Sequence, residues 1–89
     1  MRELNLKITG KVQGVFYRAA IRDAAEQLGL KGFARNEDDG SVYVKVQGNE
    51  ENLMKLIDKA WKGSMACDVE NMEEEWRHAA EKFERFQIL

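Results

Sequence analysis

The chain has 89 residues, 44% of them hydrophobic and 34% charged, with a formal net charge of −2. This balance is typical of a water-soluble globular protein, and the length predicts a single domain over residues 1–89. The charge gives no general attraction to nucleic acid or acidic membranes, so we expect neither as a partner. With one cysteine and one histidine, the chain has no internal disulfide and no zinc site. We therefore expect a reducing cytoplasmic location and no metal or other cofactor.

The first half of the chain predicts a strand, a helix and a hairpin. Alternation over "LNLKI" predicts a half-buried strand with an apolar face formed by Leu4, Leu6 and Ile8. Helical spacing predicts a helix from Tyr17 to Leu28, ended by Gly29, with an apolar face formed by Tyr17, Ile21, Ala24 and Leu28. The stretch "LKGFARN" is then extended and "EDDG" forms a turn. Alternation in "SVYVKVQG" predicts the second hairpin strand, with Val42, Val44 and Val46 inward.

A second helix is marked at both of its ends. Asn49 can cap its N-terminus, and Gly63 can end it. Acidic residues in the first turn and basic residues in the last complement the helix dipole: Glu50, Glu51, Lys59 and Lys62. Its buried stripe is predicted to comprise Leu53, Leu56, Ile57, Ala60 and Trp61.

The C-terminal third carries conflicting signals. The stretch "ACDVENM" predicts a strand with Cys67 and Val69 inward and Met72 reached through a local irregularity. Local propensity in "ENMEEEWRHAAEKFERF" favours a helix, whereas the order of the elements favours strand, loop and strand for residues 73–85. We predict the latter, followed by a last strand in "FERFQIL" with Phe86 and Ile88 on one face. The predicted order is β-α-β-β-α-β with an extra terminal strand.

The loop "GKVQGVFYR" lies between the first strand and the first helix. Gly10 and Gly14 can adopt backbone angles closed to other residues, so the chain can curl with its amides pointing inward. The helix start adds unpaired N–H groups and a partial positive charge. Arg18 offers a planar fork of donors that matches two phosphate oxygens. The loop therefore predicts a phosphoryl site, although such a turn can also be a plain connection.

Several reactive groups are missing from this loop. Val15 and Phe16 follow Gly14, where a nucleoside-triphosphate-binding loop carries lysine and serine or threonine. Val12 occupies the position at which protein-tyrosine phosphatases place their nucleophilic cysteine. The loop can hold a phosphoryl group but supplies no nucleophile.

These residues resemble the acylphosphatase signature Gly-x-Val-Gln-Gly-Val-x-Phe-Arg, with Tyr17 in place of the usual phenylalanine. The segment "LGLKGFARNEDDGSVYVKVQG" resembles the second block of that family, a Gly-aromatic-x-x-Asn segment before Asp-Gly and an alternating strand. Further matches follow at Cys67, Val69, Met72, Trp76, Phe83, Phe86 and Ile88, so the similarity covers essentially the whole chain. It departs in the C-terminal third, where this chain lacks the usual proline and turn residues.

The resemblance implies a ferredoxin-like α/β sandwich, with an antiparallel sheet and two helices on one face. It also implies hydrolysis of the carboxyl-phosphate bond of acyl phosphates, with inorganic phosphate as product and competitive inhibitor. The catalytic residues of the family fall on Arg18 and Asn36. Its phosphate cradle of main-chain amides falls on Gln13, Gly14, Val15, Phe16, Tyr17 and Arg18. We expect the amides from Gly14 onward to matter most, and the protein to be a monomer.

Other residues receive simpler interpretations. Spacing alone would make Asn36 a turn-forming residue, and only the family match makes it catalytic. The side chains of Phe16 and Tyr17 are expected to pack in the core and at the helix start and not to contact the substrate. Three basic residues could add positive field but are most simply solvated charges: Lys11, Arg22 and Arg35. Cys67 is expected to be a small buried apolar residue and His78 an exposed loop residue, neither with a functional role.

Three alternatives to a hydrolase stay open at this point. The same fold could bind phosphate or a phosphorylated ligand without turnover. RNA-recognition domains share the element order, but "SVYVKVQG" lacks their paired aromatics and the charge balance is wrong. The chain could also come from a larger carbamoyl-phosphate-handling protein with a domain of this family, although "FERFQIL" ends where the fold ends and so favours a free-standing enzyme.

Overall fold

The computed structural model describes residues 1–89. It contains two helices, α1 (Tyr17–Gln27) and α2 (Glu50–Lys62). The strands are β1 (Arg2–Lys11), β2 (Lys31–Asn36), β3 (Val42–Gly48), β4 (Asp68–His78) and β5 (Phe86–Ile88). The predicted order of elements is therefore confirmed, including the extra strand at the end.

The strands form one sheet in the order β4-β1-β3-β2-β5. The first four pair antiparallel, as expected. The short β5 joins the outer edge of β2 in parallel, with Ala34 opposite Ile88, so the complete sheet is mixed. This is the ferredoxin-like α+β sandwich, and no pattern in the sequence indicated the direction of its fifth strand.

The core lies between the helices and one face of the sheet. Registers of Leu6 with Val44 and of Ala34 with Val44 bring the alternating apolar residues of three strands side by side. These residues are completely buried and belong to one cluster with the inner faces of both helices. Strand alternation therefore fixes which face of the sheet the helices cover.

The predicted ends of both helices are confirmed. Leu28 is the C-terminal cap of α1, and Gly29 follows with a φ of 69°. At the start of α2 the Asn52 amide donates to Asn49 Oδ1 at 2.8 Å. One predicted core residue was wrong: Trp61 is 46% exposed, whereas Ala60 beside it is fully buried. In the last turn of α2, Ala60 faces the sheet and Trp61 does not.

The C-terminal third is a strand and a loop, as the order of the elements predicted. β4 pairs with β1 along its length, with a register shift between Thr9 and Gly10 that accounts for the irregularity before Met72. His78 is exposed, at the end of β4 and not in a loop. Inter-strand pairing here overrides the local helix propensity of the acidic run. No helix in the structure combines the length and apolar character needed to cross a membrane.

Candidate functional site

The loop between β1 and α1 curls as its glycines predict. Gly14 has a φ of 72° and Gly10 a φ of 127°, both in the region that favours glycine. At Gly10 a side chain would also collide with the Asp68 carbonyl oxygen on β4. Gly14 faces open space instead, so its requirement is conformational. The two glycines are thus required for different reasons: Gly10 allows close packing against β4, and Gly14 allows the chain to reverse its direction.

The main-chain amides of this loop have no acceptors in the protein. No hydrogen bond outside the regular helices and strands has a main-chain donor between Gln13 and Ala19. The first helical bond runs from the Ala20 amide to the Phe16 carbonyl oxygen, and no side chain caps α1. A row of free N–H groups at a helix N-terminus is a favourable environment for an anion.

Three side-chain hydrogen bonds hold the loop in place. Gln13 Nε2 donates to the carbonyl oxygens of Glu37 and Ser41, each at 2.9 Å. The Ser64 hydroxyl donates to the Val15 carbonyl oxygen at 2.8 Å. These contacts tie the loop to the β2–β3 turn on one side and to the segment after α2 on the other.

Tyr17 provides a third tether from inside the core. Its ring is 1% exposed, and its hydroxyl donates to the Ala60 carbonyl oxygen at 2.6 Å in the last turn of α2. Burial, with a smaller effect of nearby Cys67, raises the pKa of the Tyr17 hydroxyl far above its usual value of 10. Tyr17 therefore stays a neutral donor. Its burial in the core cluster confirms its predicted packing role.

Arg18 lies in the first turn of α1, beside the free amides. One terminal nitrogen, Nη1, donates to the main-chain oxygen of Leu89 at 2.7 Å. No carboxylate side chain lies within ion-pair distance of its guanidinium, so the remaining donors of the fork have no anionic partner. The contact with Leu89 fixes the orientation of the fork.

Arg18 faces a cavity of about 320 Å³ at the mouth of the loop. It is the only charged residue in the cavity lining, which consists of Val12, Gly14, Phe16, Tyr17, Arg18, Ala19 and Ile88. The arrangement therefore combines a set of anion-binding donors with an otherwise largely apolar wall. No three His, Cys, Asp or Glu side chains are grouped as a metal site would require.

Asn36 is the last residue of β2, and its exposed side chain makes no hydrogen bond within the protein. Its neighbour Glu37 accepts the Gln13 bond, so the end of β2 adjoins the loop. Asn36 does not itself line the cavity that contains Arg18. Its amide is thus free to bind a water molecule or a ligand at the hairpin side of the loop.

The turn after Asn36 is held by Asp39. Its carboxylate accepts from the Ser41 amide at 2.9 Å and from the Ser41 hydroxyl at 2.6 Å, and it pairs with Lys7 at 3.1 Å. The two bonds from Ser41, followed by Lys7, lower the pKa of Asp39 to about 2. The carboxylate is therefore ionised at neutral pH and fixes the turn that receives Gln13.

One expectation at the site was wrong. Phe16 does not pack in the core: its side chain is 85% exposed, and Val15 points inward instead. Phe16 also has a φ of 61°, so the turn directs its ring outward. The role of the Gln13 side chain was missed, because nothing in the local pattern indicates which distant carbonyl groups it meets.

The surrounding basic residues are paired at the surface or solvated, as the simpler interpretation predicted. Arg22 pairs with Asp23 and Arg35 with Glu37, each at 3.3 Å, and Lys11 is exposed. Arg35 also lies over the Tyr43 ring at 4.9 Å. None of the three basic residues lines the cavity.

Cys67, expected to be buried, is only partly buried.

Comparison with known proteins places the chain in a family. A family model described as acylphosphatase matches residues 4–88. An acylphosphatase of Shewanella amazonensis is 40% identical over 88 residues, which are 99% of this chain and 97% of that protein. One of Pelotomaculum thermopropionicum is 40% identical over 81 residues, 91% of this chain and 88% of that protein.

The fold agrees with this sequence similarity. The crystal structure of acylphosphatase from Bacillus subtilis superposes with a TM-score of 0.97 at 28% identity, over 100% of this chain and 99% of that one. A family match over nearly the whole length, two relatives at 40% identity and the same arrangement of elements lead to one conclusion. This protein belongs to the acylphosphatase family of hydrolases.

Proposed function

We propose that this protein hydrolyses the carboxyl-phosphate bond of small acyl phosphates at the loop between β1 and α1, with Arg18 and Asn36 as its catalytic residues. The observation that carries the proposal is the row of free amides from Gln13 to Ala19 beside the Arg18 fork. Its products are a carboxylate and inorganic phosphate.

The phosphoryl group binds first. Main-chain N–H groups from Gly14 onward and the free donors of Arg18 surround its oxygens, while the Gln13 side chain keeps the loop curled. In phosphoryl transfer, negative charge spreads over the equatorial oxygens of a loose transition state. Donors already fixed in place stabilise that charge without reorganisation.

The attacking water is held by the side-chain amide of Asn36. The leaving carboxylate has a conjugate acid with a pKa of about 4, so it departs without a general acid. Asn36 cannot accept the proton of the water for long, and a phosphoryl oxygen takes it. The reaction then requires positioning and electrostatic stabilisation, with neither a side-chain nucleophile nor a base.

The principal alternative is a module that binds phosphate without turnover. Incubation with acetyl phosphate separates the two, because only an enzyme releases inorganic phosphate. Arg18→Gln should abolish most of that release by removing the charged fork. Arg22→Gln is the matched control, since Arg22 lies on the same helix and pairs only with the exposed Asp23. Equal release from Arg18→Gln and wild type would refute the proposed site.

Inorganic phosphate should compete with the acyl phosphate, because both occupy the same amides. Steady-state inhibition tests this, with a rise in KM and an unchanged kcat as the expected pattern. The proposal also retains the monomeric, cytoplasmic enzyme expected from the sequence. The lone Cys67 and the absence of any disulfide are compatible with a reducing compartment.

A further inference from the structure

Phe16 combines two features that its packing does not explain. Its side chain is 85% exposed, although burying a phenylalanine is strongly favourable. It is also the only residue other than glycine with a positive φ, at 61°. For a bulky residue this conformation is strained, and such strain tends to persist where function requires it. The strain here places an aromatic ring at the mouth of the loop.

The ring forms part of the wall of the cavity beside Arg18. Val12, Ala19 and Ile88 add aliphatic surface to the same wall. The volume of about 320 Å³ is at the lower end of the range of about 300–1,000 Å³ for small-molecule sites. A phosphoryl group held by the amides and Arg18 would leave room there for a compact organic group.

We infer that Phe16 and Ile88 bind the acyl portion of the substrate and make the enzyme prefer acyl phosphates with an uncharged apolar acyl group, aromatic or branched. This inference rests on the proposed function. The wall has no charged group besides Arg18, so a charged acyl group would find no partner after the phosphoryl group has taken that arginine. A two-carbon acyl group is too short to cover the ring.

The test compares benzoyl phosphate with acetyl phosphate. The readout is kcat/KM for benzoyl phosphate divided by kcat/KM for acetyl phosphate. An effect on the phosphoryl cradle, which both substrates share, cancels in this ratio. Wild type should favour benzoyl phosphate, and Phe16→Ala should lower the ratio about 10-fold or more, as expected for loss of one buried aromatic contact. Phe16→Leu should retain more of the ratio than Phe16→Ala, because leucine keeps apolar surface at this position.

Met65→Ala is the matched control, since Met65 is fully exposed and lies outside the cavity; its ratio should equal that of wild type. Thermal unfolding of every variant verifies the fold. An unchanged ratio in Phe16→Ala would overturn the inference, as would equal losses on both substrates. If wild type released no phosphate from either compound, the proposed function would fail instead, so the two failures are distinguishable.

Discussion

Replacing Gln13 by alanine tests whether the loop must be fixed to the β2–β3 turn for catalysis. The side chain donates two hydrogen bonds of 2.9 Å, to the carbonyl oxygens of Glu37 and Ser41. Both acceptors keep another donor, since Glu37 also accepts from the Gly40 amide and Ser41 from the Glu37 amide. The loss is therefore that of the two bonds, without an additional penalty for orphaned carbonyl groups.

Each such bond contributes about 0.5–1.5 kcal/mol net, so Gln13→Ala should lower the free energy of unfolding by about 1–3 kcal/mol. For a domain of this size, each kcal/mol lowers Tm by roughly 4–8 °C. The rate should fall as well, because a displacement of about 1 Å in a positioned group can cost on the order of 10²-fold. We expect kcat/KM on acetyl phosphate to fall by about 10- to 100-fold.

The assay measures phosphate release well below the Tm of the variant, with thermal unfolding in parallel. Gln27→Ala is the matched control, because Gln27 is exposed at the end of α1 and its side chain makes no hydrogen bond. Gln13→Glu should be more damaging than Gln13→Ala, since a carboxylate cannot donate to the two carbonyl oxygens and repels the phosphoryl group. Wild-type kcat/KM in Gln13→Ala would refute the reasoning that this tether positions the cradle.

Other predictions concern the two proposed catalytic residues, the hydrogen bond of Tyr17 and the pH dependence of stability in acid. Arg18→Lys should lose most activity, because a compact ammonium lacks the planar fork that matches two phosphoryl oxygens side by side. Near-normal kcat would contradict this. Asn36→Ala should lower kcat by about 10²- to 10³-fold with phosphate affinity little changed. A parallel loss of phosphate binding, measured by calorimetry, would show that Asn36 binds the phosphoryl group and not the attacking water. Tyr17→Phe should lower the free energy of unfolding by about 1–3 kcal/mol, because the buried Ala60 carbonyl loses the Tyr17 donor. An unchanged midpoint of denaturant unfolding would be incompatible with that hydrogen bond. The pKa of Asp39 is lowered from 3.8 to about 2, so the stabilisation by its carboxylate is present above pH ~4 and is lost as the pH falls toward 2. The difference in unfolding free energy between wild type and Asp39→Asn should therefore shrink over that interval. A difference that stays constant with pH would show that the ionised carboxylate does not cause it.

Residues with a strong periodic or capping signal were predictable from the sequence. Strand alternation located the buried face of β1 and β3, and Asn49 marked the start of α2. The glycine-framed loop and Arg18 also lie where the motif predicted. In each case the deciding interaction is between neighbours in the chain or follows from the period of one element.

Features that depend on distant partners could not be predicted in this way. The pairing of β4 with β1 overrode a local helix preference, and the parallel direction of β5 left no mark in its three residues. The outward direction of Phe16 follows from one backbone angle, which composition does not reveal. The acceptors of Gln13 and Arg18 lie 24 to 71 positions away along the chain.

These long separations also bear on how the enzyme matures. The bonds that hold the loop and orient Arg18 join residues 24 to 71 positions apart, and closing such contacts is slow compared with forming a helix. A nascent chain lacking residues 86–89 would contain every loop residue, but the Arg18 guanidinium would have no Leu89 oxygen to orient it. Turnover would then appear only after synthesis of the last strand, which would make phosphate release a reporter of completed assembly during translation.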